Sequence, residues 1–60
     1  MFEEEKELED LKWKVNRLET FVNDSEDFRN LPKEKRTLLD VQLCAMKTYK
    51  MALEKRITLG

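Results

Sequence analysis

Sixty residues with one glycine, one proline, 42% charged and 40% hydrophobic side chains make one small domain at most, residues 1–60, with material for long helices and little for turns. With no histidine and one cysteine, Cys44, a single chain can assemble neither a zinc site of the usual ligand spacing nor a Cys/His or Ser/His nucleophile, so no catalytic residue, metal or cofactor is expected and the protein is read as a non-enzyme. The net charge of −1 conceals ten acids against five bases in residues 1–30 and three acids against seven bases in residues 31–60, about −5 and +4.

The first helix is expected from Phe2 to about Val22. Leu8, Leu11, Val15, Leu18 and Val22 alternate steps of three and four, a heptad-like seam that Phe21 widens at its C-terminal end. Trp13 falls on the opposite side, on nearly the azimuth of Phe2, where it meets another subunit, the N-terminal turn, a functional partner or only solvent.

A connector is expected over residues 23–31. Asn23, Asp24 and Ser25 compete with the backbone for hydrogen bonds and favour turns and caps, and Ser25 ahead of Glu26, Asp27 and Phe28 can start one helical turn. Phe28 and Leu31 would then plug the closed end of a two-helix arrangement. Pro32 suits the first position of the second helix, with Asn30 or Leu31 as its cap, Glu34 favouring its N-terminus and its end near Thr58.

In that second helix Leu39, Leu43, Met46, Leu53 and Ile57 form one apolar stripe. A second row, Leu38, Val41, Gln42, Ala45, Tyr49 and Ala52, lies about a quarter-turn away and cannot be covered by the same neighbour. The expected fold is therefore all-α, a coiled-coil-like antiparallel two-helix hairpin assembling into a homo-oligomer, with Trp13, Leu38, Val41, Ala45 and Ala52 as candidate interface residues. The antiparallel sense sets the acidic start of the first helix beside Lys50, Lys55 and Arg56, and each charge suits its own helix dipole.

Gln42, Tyr49 and Arg56 recur every seven residues, an amide, an aromatic ring and a guanidinium on one face. They either contact a ligand or set register at a subunit seam. Lys50 occupies a core-type position between Met46 and Leu53, where it snorkels outward, fixes oligomer state or holds an anion. Lys47, Cys44 and Met51 lie on the outer arc. No Gly-rich phosphate loop, HExxH, CxxC or EF-hand loop is present, and the bases of the second half are interspersed with acids, which argues against duplex DNA and against a membrane surface. The unpaired cysteine, with neither a secretory signal nor a long apolar run, points to a reducing cytoplasm.

The motif FxxLPxEKRTLLxxQLxAMxTYxxxLxxRI, running from Phe28 through Gln42, Tyr49 and Arg56 to Ile57, resembles a family of very small bacteriophage helical-hairpin proteins named after a crAss-like phage gene product. The likeness is close over half the chain and extends to the first helix only in pattern; it departs at Pro32, where those proteins tend to carry a Ser or Asp cap. It implies a phage protein made in the host bacterial cytoplasm. At fold level, a short oligomeric phage hairpin is also similar to the hairpin domain of anti-CBASS and anti-Thoeris sponges, which trap nucleotide messengers between subunits. That similarity implies a sponge sequestering a cyclic oligonucleotide or cyclic ADP-ribose ligand, with Gln42, Lys47, Tyr49, Lys50 and Arg56 as the ligand-binding candidates. The alternative is an interaction module that binds and inhibits a host protein through an exposed helix face.

Overall fold

In the computed structural model, residues 2–60 are described, with the side chain of Phe2 excepted. The expected alignment of Phe2 with Trp13 therefore lies outside the described residues. The chain is all-helical: α1 spans Phe2–Asp24, α2 Glu26–Arg29 and α3 Lys33–Leu59. The molecule is 43 Å long, little more than the ~40 Å that the 27 residues of α3 span at 1.5 Å each, so α1 packs along α3 instead of prolonging it.

Helix α1 continues two residues beyond the expected Val22, because Asn23 and Asp24 remain helical until Ser25 donates its N–H to the Phe21 carbonyl at 3.2 Å. The Ser25 hydroxyl then accepts from Asp27 N–H at 3.1 Å and caps α2, the single turn that the Ser-Glu-Asp-Phe run foreshadows. Phe28 on that turn is buried and meets Phe21 edge-on, ring centres 5.7 Å apart at 81°.

The start of α3 corrects the sequence reading. Pro32 is not the first helical residue but the N-cap itself, with φ −55° and ψ 148°, and its carbonyl accepts from Arg36 N–H at 3.1 Å. Neither Asn30 nor Leu31 caps α3: Asn30 closes α2 by donating to the Glu26 carbonyl at 3.0 Å, and a residue before proline is held out of helical geometry. The cap lacks a side-chain acceptor, so α3 begins with one fewer stabilising bond than a Ser or Asp would provide. The helix runs one residue past Thr58, and Gly60 at φ +74° returns its N–H to the Arg56 and Ile57 carbonyls, both at 3.2 Å.

Between the long helices, Leu11 and Val15 of α1 and Leu43 and Leu53 of α3 form a buried cluster flanked by Leu8, Leu18, Val22, Met46 and Ile57. These are the two seams read from the sequence. Leu53 is fully enclosed, whereas Leu39 is only half-buried. The second row of α3 stays outside: Leu38 is 67% exposed and Val41 60%, and Gln42, Ala45 and Ala52 are exposed with them. Among the described residues no helix is long and apolar enough to cross a membrane.

Candidate functional site

Three exposed polar contacts join α1 to α3. Arg56 Nη2 lies 3.1 Å from Glu4 Oε2, Tyr49 donates its hydroxyl to Glu7 Oε2, and Lys47 pairs with Glu19. The start of α1 therefore lies beside the end of α3, as the charge asymmetry anticipates, although Arg56 and not Lys50 or Lys55 forms the ion pair there. All three are exposed and water-screened, so they orient side chains more than they stabilise the fold.

The candidate ligand residues separate into two groups. Tyr49 and Arg56 lie close together on the exposed side of the core stripe, near enough for the guanidinium to act on the phenol, and Gln42 lies on the same side two turns earlier. Lys47 is only two positions from Tyr49, about 200° around the helix, and its link to Glu19 directs it to the other flank of the α1 contact. One chain thus does not bring Lys47 to Tyr49. Lys50 is half-buried at the core edge, and among the described residues no carboxylate lies within ion-pairing distance of it. The pKa of Tyr49 is raised above the ordinary phenol value, first because the bond it donates to Glu7 requires its proton, then by desolvation and by the Glu7 charge, against an opposing effect of Arg56.

The carboxylates of Glu4, Glu7 and Glu19 are absent from the set of site residues chosen on sequence. Their signal is the charge asymmetry between the two halves of the chain, which points to a cluster of acids without selecting individuals. Arg36 is a second omission: it is half-buried and its Nε is enclosed without a hydrogen-bond partner. Trp13, 68% exposed, forms one wall of a shallow concavity on the outer face of α1 with Arg17, Thr20 and Phe21. Cys44 is a free thiol on the exposed arc of α3, and no cluster of metal-ligating side chains occurs among the described residues.

The arrangement is a surface with an aromatic ring, one cation and an amide along one flank of the core stripe, with Lys50 at the core edge, suited to holding an anion with a planar group. A family model described as Sequestin matches residues 3–59, nearly the whole chain. The chain belongs to the Sequestin family. The match covers α1 as well as the QLxAMxTY segment of α3, so Sequestin membership extends over the acidic helix that the sequence motif left aside. No curated protein and no solved structure matches the chain.

Proposed function

We propose that this protein is a non-enzymatic phage anti-defence sponge that works in the infected bacterial cytoplasm and sequesters a cyclic nucleotide immune messenger at the interfaces of a homo-oligomer. The observation that carries the reading is membership of a family whose name speaks of sequestration. The geometry supports it in two ways. A cyclic nucleotide presents phosphates and a purine face, for which Lys50, Arg56 and the ring of Tyr49 supply charge and a stacking plane. The two long helices, read as an antiparallel hairpin, leave the row Leu38, Val41, Ala45 and Ala52 bare for other copies of the chain, with Trp13 a further contact on α1.

In this mechanism no bond is made or broken. The phosphate displaces Glu4 from Arg56, Lys50 adds its charge from the core edge or from a facing copy, and Tyr49 stacks on the base while Gln42 hydrogen-bonds to its edge. Lys47 contributes only where a second copy turns its outer arc toward the site. Calorimetry or a thermal-shift panel of cyclic di- and trinucleotides and cyclic ADP-ribose variants tests the reading. The expected outcome is a stabilising shift with at least one of them, abolished by Tyr49→Ala and by Lys50→Ala with most helicity retained. A flat response across the panel, together with stoichiometric recovery of one host protein from lysate, would replace the sponge by the host-protein inhibitor. That second reading rests on the exposed Trp13 wall of α1.

A further inference from the structure

We propose that the bare row of α3 is the seam of a two-fold dimer in which α3 packs antiparallel against α3 of a second copy, with Ala45 facing Ala45 on the axis. The inference rests on the sponge reading only for what is bound.

Leu38, Val41, Ala45, Tyr49 and Ala52 follow one another at steps of three, four, four and three, the spacing of a face that a neighbouring helix covers. Each is exposed, and Leu38 and Val41 are apolar side chains with more than half their surface in water. About Ala45 as centre, an antiparallel partner sets Leu38 opposite Ala52 and Val41 opposite Tyr49. Large side chains then meet small or flat ones, and the two methyl groups at the centre allow close approach. A parallel pairing sets Leu38 on Leu38 and Ala52 on Ala52, crowded at one end and hollow at the other.

Charge selects the same direction. The face ends at Glu34 on one side and Arg56 on the other, each eleven residues from Ala45. In the antiparallel seam Glu34 of each copy comes level with Arg56 of the other, which already pairs with Glu4 of its own chain, so opposite charges adjoin at both ends of a stretch about 33 Å long. The parallel seam pairs like with like at both ends.

The seam also completes the ligand site. Within one chain Gln42 and Tyr49 are about 10 Å apart along the helix axis. Across the two-fold, Gln42 of the second copy comes to the level of Tyr49 on the same rim, so each candidate pocket takes its ring from one protomer and its amide from the other.

Single cysteines on a Cys44→Ser background, joined by a short bifunctional maleimide, test the register. Ala45→Cys should link to itself. Leu38→Cys and Ala52→Cys should each fail to self-link, because identical residues there stand about 21 Å apart, yet should link efficiently when mixed. In parallel, Arg56→Glu should weaken dimerisation about 10-fold and Glu34→Arg in the same chain should restore it. Self-linking at Leu38 and Ala52, a monomeric native chain in light scattering, or no recovery in the double charge variant would overturn the seam. The mixed-link pattern with a flat messenger panel would leave the seam standing and remove the sponge, and a messenger-induced shift with the parallel pattern would do the reverse.

Discussion

Two faces of one helix meet opposite fates in this protein. On α3, Leu43 and Leu53 are enclosed by Leu11 and Val15 of α1, while Leu38 and Val41, of the same chemical kind and on the same helix, remain in water. The difference is geometric. A helix covers only the arc of its neighbour that it touches, and with a single long partner α3 has apolar surface left over. A 60-residue chain has few kcal/mol in reserve, so leaving part of that surface bare is costly, and the proposed seam with a second copy would cover it.

The same charge placed on each face should have opposite consequences. Leu43→Asp puts an uncompensated carboxylate into the core that α3 shares with Leu11 and Val15, a cost of several kcal/mol that exceeds the stability of so small a domain. Far-UV circular dichroism should report a largely unfolded chain. Val41→Asp adds a carboxylate at an exposed position, so α1 and α3 should stay packed while light scattering shows loss of association. Equal unfolding of both variants would make the two faces parts of one core, and unchanged mass for Val41→Asp would deny the outer row any partner.

Much of this architecture is legible in the sequence, and what is legible is what burial dictates. The steps from Leu8 to Val22 and from Leu43 to Ile57 specify which side of each helix faces inward, because a register error would put those side chains in water at about 2 kcal/mol each. The bare row is legible for the same reason, as surplus to what one neighbour can cover. The start of α3 is not. Proline is acceptable both as cap and as first helical residue, and the choice of Pro32 as cap follows from the capture of Asn30 by α2, which no local spacing reveals. Nor is it legible which acids reach Arg56, Tyr49 and Lys47, since exposed pairs differ by tenths of a kcal/mol and several glutamates compete for each.

A smaller effect sharpens the contrast between the ends of the connector. Ser25 caps α2 through its hydroxyl, whereas Pro32 caps α3 through its backbone alone. Ser25→Ala should cost about 1 kcal/mol, read as a lower midpoint in urea unfolding with an unchanged slope. Pro32→Ser, which adds an acceptor where there is none, should raise the midpoint by a similar or smaller amount, and a loss there would mean that the rigidity of proline outweighs a better cap.

The smallest effect concerns Tyr49, which belongs to both faces: its ring lies at the edge of the bare row and its hydroxyl reaches back to Glu7 on α1. Its pKa is raised in the folded chain, so the stability it contributes is fully present below the unfolded value near 10 and is lost as pH rises through the higher folded value. A titration followed by ultraviolet absorbance should therefore show Tyr49 ionising above free tyrosine, with a slight loss of thermal stability over that interval. Tyr49→Phe should remove the alkaline loss and leave stability at neutral pH nearly unchanged, because the bond is exposed to water. Glu7→Gln should lower the Tyr49 pKa toward the free value, since an amide oxygen accepts the same hydrogen bond without a negative charge behind it. If Tyr49 titrates normally in the native chain, the hydroxyl is not held by α1, and the ring is free to turn wholly toward the bare row of α3.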